Sequence, residues 1–222
     1  MTSYRVRRPG ARVDFDKPLT FSFDGQAYDG FAGDTLASAL LANGTRMLAR
    51  SFKYGRPRGI VGTGPEEPNA LMQIETGAHT IPNLKATQVE LYDGLVARRT
   101  TGWPTLEFDL KTLGGLFSRF MPAGFYYKTF QNQKLWPKFE HIIRQAAGYG
   151  SAPSEPDPET YDHSHRHAQV VIVGGGASGL LAALLAGRAG LKVVLLDEQT
   201  SVAAGFCRRR TASSAVNRQA LG

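Results

Sequence analysis

Apolar and polar residues alternate along Leu19-Thr20-Phe21-Ser22-Phe23 and again along Gln26-Ala27-Tyr28-Asp29-Gly30-Phe31-Ala32, on either side of Asp24-Gly25. A period of two places one row of side chains on a core face, and Asp-Gly between two such runs predicts a tight hairpin over 19–32. The pattern then changes to helical spacing. Leu36, Leu40 and Leu41 share one face of a short helix, Asp34 suits its N-cap, and Gly44 suits the left-handed position that ends it. Residues 71–76 and 87–92 read as further strands, and Asp93-Gly94 turns the second of them into Leu95-Val96-Ala97. A hairpin, a short helix, a loop and more short strands predict an α+β β-grasp domain over residues 1–105.

From 106 the texture changes. Phe117, Phe120, Phe125, Tyr126, Tyr127, Phe130, Trp136 and Phe139 crowd into 23 positions. Met121-Pro122-Ala123-Gly124 and Trp136-Pro137 interrupt any long helix. Short helices with aromatics packed against a neighbouring domain are expected, since no polar groups stand among the rings to orient a ligand. Residues 151–158, Ser-Ala-Pro-Ser-Glu-Pro-Asp-Pro, form a stiff proline-rich link. Residues 106–166 are therefore read as a helical, aromatic-rich connector.

The third pattern is the most informative. Gln169-Val170-Val171-Ile172-Val173 is a continuous apolar strand, followed by Gly174-Gly175-Gly176-Ala177-Ser178-Gly179. A helical run from Leu180 to Gly190 follows, and then Lys192-Val193-Val194-Leu195-Leu196-Asp197-Glu198. This is a buried strand, a Gly-x-Gly-x-x-Gly turn, a helix and a second buried strand ending in acid, the context that gives the glycine motif its meaning. Gly174 permits the tight turn, Gly176 lets backbone approach a pyrophosphate, and Gly179 lets helix lie close to strand. Gly175, Ala177 and Ser178 complete a helix N-terminus whose N–H groups suit phosphate. Asp197, twenty-three residues after Gly174, is placed to bind ribose hydroxyls and to repel a 2′-phosphate, with Glu198 as the alternative. Residues 167–199 are thus the first β-α-β unit of a Rossmann-type α/β domain, with candidate cofactor contacts at Gly174, Gly175, Gly176, Ala177, Ser178, Gly179, Asp197 and Glu198.

Composition narrows the chemistry. The chain has 222 residues and a formal charge of +7, with one cysteine, Cys207. A single cysteine cannot form an intrachain disulfide or ligate an iron–sulfur cluster alone, so no cluster is expected. The positive charge is concentrated: Arg46, Arg50, Lys53, Arg56 and Arg58 fall within thirteen residues that hold no acid. Without a recognition motif this reads as a solvated or subunit-facing surface rather than a nucleic-acid site. His163, His165 and His167 would share a face in an extended segment, but no carboxylate or cysteine completes a metal set, and they read as a polar lead-in. No run approaches ~18 apolar residues, so no membrane span is expected, and the basic N-terminus has no apolar stretch behind it. Cytoplasm is the default expectation.

Beyond these patterns, particular stretches resemble the α subunit of heterotetrameric sarcosine oxidase and its amine- and imino-acid-oxidising relatives. They are Arg50-Ser51-Phe52-Lys53-Tyr54-Gly55-Arg56-Pro57-Arg58-Gly59, Phe120-Met121-Pro122-Ala123-Gly124-Phe125-Tyr126-Tyr127-Lys128-Thr129-Phe130, Leu135-Trp136-Pro137-Lys138, and the glycine turn with Leu196-Asp197-Glu198-Gln199. The resemblance implies a [2Fe–2S] ferredoxin-like β-grasp domain that has lost its cluster cysteines, with Gly59-Ile60-Val61-Gly62-Thr63-Gly64 in the cluster-loop region. It implies NAD on the glycine turn, or FAD as in related dehydrogenases, with flavins on or near a β subunit and partner subunits of β, γ and δ type. In such an enzyme flavin oxidises sarcosine or a related secondary amine to an imine, and oxygen reoxidises the flavin. No residue of this chain is assigned a catalytic role.

Two departures stand out. Family α subunits are several times longer. Residues 200–222 contain no acid and four Arg, and show no periodicity. They read as an aberrant basic tail, such as a shifted reading frame or a truncated gene would give. The alternative reading is a non-catalytic fragment that docks partner subunits.

Overall fold

The computed structural model describes residues 4–7, 12–51, 54–110 and 136–198. Two compact units divide the chain, Met1–Arg5 with Val13–Ser164, and Val6–Arg12 with His165–Gly222.

The first unit is built on a five-stranded mixed sheet. Strands β1 (Asp14–Phe23) and β2 (Gln26–Ala32) form the expected hairpin, with Phe21 opposite Tyr28 and Phe23 opposite Gln26. Asp24 and Gly25 both take positive φ, 52° and 81°, the geometry a two-residue turn needs to match strand twist. Helix α1 (Leu36–Ala42) follows. Strands β3 (Ala49–Arg50) and β4 (Pro57–Arg58) make a separate antiparallel ribbon. Strands β5 (Leu71–Ile74), β6 (Ile81–Lys85) and β7 (Val96–Arg99) complete the main sheet in the order β2-β1-β7-β5-β6. β7 runs parallel to β1, with Ser22 opposite Val96, and the remaining pairs are antiparallel. A parallel first and last strand with a helix across the sheet is the β-grasp arrangement.

Phe21, Phe23, Met72, Ile74 and Ala97 from the sheet meet Leu36, Ala37, Ala39 and Leu40 from α1 in one core, joined by Leu48, Val89, Leu91 and Leu95. Burying a Leu or Phe side chain fully stabilises by roughly 1.5–3 kcal/mol each, so the period-two and helical patterns are the source of this unit's stability.

Three local readings are corrected. Thr35, not Asp34, is the N-cap of α1: its hydroxyl accepts from the Ser38 N–H, and the Ser38 hydroxyl accepts from the Thr35 N–H. Asp34 is displaced because its buried carboxylate is held by Arg5, the Phe31 N–H and the Ser38 hydroxyl. Residues 87–92 form no strand beyond one isolated bridge between Glu90 and Thr35. The adjoining segment serves the helix instead: carbonyls of Val89 and Ala86 accept from Leu36 and Ala37 N–H, donors that a helix start leaves unpaired. The strand expected over 71–76 ends at Ile74, since Glu75 takes a φ of 60°. Its hairpin partner, Ile81–Lys85, has no apolar alternation that would reveal it.

Gly44 ends α1 as expected. It takes a φ of 86°, and Gly44 and Thr45 N–H groups return to Leu41 and Leu40 carbonyls. Of the connector, the aromatic positions 117–130 lie outside the described residues. Helix α2 (Trp136–Ala146) carries Pro137 in its first described turn, where a missing N–H costs little. Trp136, Phe139 and Ile142 of α2 are exposed. Residues 151–158 are irregular and exposed, as a proline-rich link should be. Among the described residues no helix is long and apolar enough to cross a membrane.

Candidate functional site

The second unit contains strand β8 (Val170–Val173), helix α3 (Ala177–Arg188) and strand β9 (Val193–Leu196). β8 and β9 are parallel neighbours in register Val170–Val193 to Val173–Leu196, which the crossover helix makes possible. The Gln169 N–H donates to the Lys192 carbonyl, and the Lys192 N–H donates to the Gln169 side-chain oxygen, locking the start of the pair. α3 ends in the same left-handed glycine device as α1: Gly190 takes a φ of 79°, and Leu191 N–H returns to the Ala186 carbonyl.

The glycine turn sits at the carboxyl end of this parallel pair. Gly174 adopts a φ of 100°, a region that side chains rarely occupy, and its N–H donates to the Leu196 carbonyl at 2.8 Å. A Cβ on Gly179 would collide with the Gly174 carbonyl oxygen, so the third glycine is what lets the first turn of α3 cross the strand end. A Cβ on Gly176 would meet nothing within 4 Å. Gly176 is the N-cap of α3, with no side-chain cap, and Gly176, Ala177 and Ser178 are exposed. An uncapped, exposed helix start suits an anion: its N–H groups point outward, and the helix dipole adds a partial positive charge.

The acidic end of β9 comes to the same place. The Asp197 carboxylate accepts a hydrogen bond from the buried Gly175 N–H. This direct link between the glycine turn and Asp197 is not visible in the spacing alone, which only puts the acid near the ribose end of such a turn. Glu198 lies next to it, exposed. The candidate residues Gly174 to Gly179, Asp197 and Glu198 are thus brought together at one strand end. His163, His165 and His167 are exposed and lie outside this cluster.

The unit is thinly built. Among its described residues no apolar side chain is fully buried, and Val173 is 83% exposed, with Leu184 and Leu185 also open. A single strand–helix–strand unit leaves the opposite sheet face and much of the helix uncovered, as surface arithmetic dictates.

Comparison with known proteins agrees with both units. Residues 16–102 match the family model described as a 2Fe-2S iron-sulfur cluster binding domain, and residues 172–216 match an NAD(P)-binding Rossmann-like domain. The first match corrects the expectation that no iron–sulfur cluster belongs to this chain. Counting thiolates weighs one ligand type only, whereas the model described as cluster-binding is matched over the whole of residues 16–102. Residues 16–102 themselves contain no cysteine. The second match runs to residue 216 and so includes part of the segment read as a basic tail.

The chain is 52% identical over 200 residues to sarcosine oxidase subunit alpha of Rhizobium meliloti (strain 1021), covering 89% of this chain and 20% of that protein. It is 37% identical over 193 residues to sarcosine oxidase subunit alpha of Corynebacterium sp. (strain U-96), covering 86% of this chain and 15% of that one. It spans a fifth or less of the length of these curated relatives. A crystal structure of L-proline dehydrogenase from P. horikoshii superposes with a TM-score of 0.36 at 20% identity, over 84% of this chain and 25% of that one.

Proposed function

We propose, from the similarity of this chain to about a fifth of sarcosine oxidase subunit alpha, that it is oxidoreductase-subunit sequence whose glycine turn binds an adenine dinucleotide, NAD or FAD. The observation that carries the reading is the meeting of the Gly175 N–H with the Asp197 carboxylate, which sets a ribose-binding acid against an open, uncapped helix start. Pyrophosphate oxygens would lie on the N–H groups at the start of α3, over Gly176. Ribose hydroxyls would take the Asp197 carboxylate, with Gly175 N–H keeping that carboxylate oriented. A 2′-phosphate would face the same negative charge, so the reading favours NAD or FAD over NADP.

The dinucleotide, when bound, supplies the hydride or electron chemistry. This chain's described residues bind and orient it. In the intact enzyme the reaction is oxidative demethylation of sarcosine or a related secondary amine, carried out with partner subunits of β, γ and δ type. The domain organisation proposed is a β-grasp unit at 1–105, a connector at 106–166, a partial nucleotide domain at 167–199 and a basic tail at 200–222. The test is calorimetric titration of the full chain with NAD, FAD and NADP. Binding of NAD or FAD with weaker NADP binding supports the reading. Equal binding of NADP, or none of any dinucleotide, overturns it.

A further inference from the structure

The β3–β4 ribbon stands apart from the main sheet and carries charge that no carboxylate among the described residues pairs with. Arg56 and Arg58 are two residues apart along β4 and its lead-in, so their side chains leave the same side of the strand. Arg46 adjoins them across the ribbon, since a Cβ on Gly59 would strike the Arg46 carbonyl oxygen. All three arginines are exposed, and none has a carboxylate partner among the described residues. Acids are close in sequence, but they are engaged elsewhere. The Glu67 carboxylate accepts N–H groups of Val61, Gly62 and Asn69, and Glu66 accepts those of Thr63 and Gly64. Arg58 reaches only the neutral Asn69 side chain, at 3.2 Å.

The guanidiniums are also held in place. Arg46 lies over the Tyr4 ring at 5.4 Å, and Arg56 lies over the Tyr54 ring at 5.1 Å. Stacking on an aromatic face orients a guanidinium while leaving its N–H edge open for a bidentate acceptor. The ribbon itself is fixed by Arg50, which donates to the carbonyls of Gly55, Leu106 and Glu107. Three exposed like charges on and beside one small ribbon, two of them stacked on aromatic rings, suit an anionic partner.

We infer that the β3–β4 ribbon is a docking surface for an acidic polypeptide segment, whose Asp or Glu carboxylates pair with Arg46, Arg56 and Arg58. A polypeptide fits better than a nucleic acid for two reasons. The Tyr54 ring is occupied by Arg56 rather than offered for base stacking. Beside the charges, Val61 is 74% exposed and Tyr54 54% exposed, giving the mixed apolar, aromatic and arginine surface typical of protein interfaces. The inference goes beyond the dinucleotide reading and does not depend on it.

The test uses the full chain and two fluorescent probes of equal charge, a deca-glutamate peptide and a single-stranded oligodeoxynucleotide, read by anisotropy at low salt. The peptide should bind in preference to the oligonucleotide and weaken as salt is added. Reversing the three charges together (Arg46→Glu, Arg56→Glu, Arg58→Glu) should cut peptide affinity by about tenfold or more, as expected for the loss of three charge pairs at an interface. Neutralising the same residues to Gln should cut it to a smaller extent, with the circular dichroism unchanged. Reversing two exposed charges elsewhere, Arg188 and Lys192, should leave it unaltered. An equal loss in that control would reduce the effect to net charge and overturn the inference. So would tighter oligonucleotide binding, or no peptide binding at low salt.

Discussion

Arg5 grips Asp34 with two parallel contacts, Nη1 to Oδ1 at 3.0 Å and Nη2 to Oδ2 at 2.6 Å, across 29 residues of sequence. The aspartate side chain is fully buried and the arginine is 14% exposed. The same guanidinium lies over the Phe31 ring at 5.0 Å. The pair ties the N-terminal segment to the start of α1, and the carboxylate's remaining contacts, with Phe31 N–H and the Ser38 hydroxyl, hold the turn between β2 and the helix. Removing Arg5 leaves a buried carboxylate without its counter-charge, and removing Asp34 leaves a largely buried guanidinium without its acceptor. Arg5→Met and Asp34→Ala should each destabilise the first unit by about 3–5 kcal/mol, and the double variant by less than the sum, measured by denaturant unfolding. Strict additivity would mean that the two side chains do not act as a pair.

The glycines of the nucleotide turn should separate by experiment. Gly179→Ala forces a Cβ against the Gly174 carbonyl, and should destabilise the second unit by roughly 1–3 kcal/mol, seen as faster amide exchange in β8 and α3. Gly176→Val meets open space and should leave amide exchange unchanged, yet abolish dinucleotide binding by filling the pyrophosphate's position. If Gly176→Val binds normally, the pyrophosphate does not lie there.

Asp197 and Glu198 are adjacent but unequal, because only the Asp197 carboxylate is tied to the turn, through Gly175 N–H. Asp197→Ala should weaken dinucleotide binding by about 1–3 kcal/mol, while Glu198→Ala should change it by less than about 0.5 kcal/mol. Titration of the two variants against the parent chain decides between them, and a larger effect at Glu198 would reassign the ribose contact.

Glu67 gives the first unit a pH dependence. Burial alone would raise its carboxyl, but N–H groups of Gly62, Asn69 and Val61 outweigh burial and hold it below the usual carboxylate range. A carboxyl lowered on folding contributes stability that is full above its unfolded pKa, about 4.3, and is lost as pH falls through the folded value. Glu67→Gln should cost about 1–3 kcal/mol at neutral pH, and the gap from the parent should begin to shrink below about pH 4.3 and close as pH falls through the lowered folded value. A gap that persists at low pH would trace the cost to packing rather than charge.

The sequence made some of this fold legible and hid the rest for identifiable reasons. The Asp24-Gly25 hairpin, the Gly44 helix end and the β8-α3-β9 unit are local, written in turn residues and in runs of fixed period. Thr35 displaced Asp34 at the helix start because Arg5, far away in sequence, claims the aspartate. The segment 87–92 looks like a strand because it alternates, but its apolar Val89 and Leu91 enter the core beside α1 while the Val89 carbonyl accepts from the helix start instead of a strand. β6 carries no strand signature because Ile81-Pro82-Asn83-Leu84-Lys85 lies at the sheet edge, where one buried face is not required. At the candidate site, the glycine spacing pointed to the turn and to Asp197. The hydrogen bond that joins them follows from three-dimensional closure, which spacing does not encode.

The parallel pairing of β1 with β7 sets when the first unit can complete its sheet. Thr20 N–H reaches the Asp93 carboxylate 73 residues away, and Arg99 returns to Asp24 across 75. The β1–β2 hairpin is complete early in synthesis, but its central edge stays unpaired until β7 leaves the ribosome. During that interval Phe21 and Phe23 have α1 to cover them but no completed sheet beneath, so the nascent chain presents an open strand edge. Contacts this distant carry a loop-closure cost before they return any stability, which slows folding. A chain released before Arg99 would therefore keep its hairpin edge exposed, and its natural fate would be association with another such edge rather than a smaller version of the same domain.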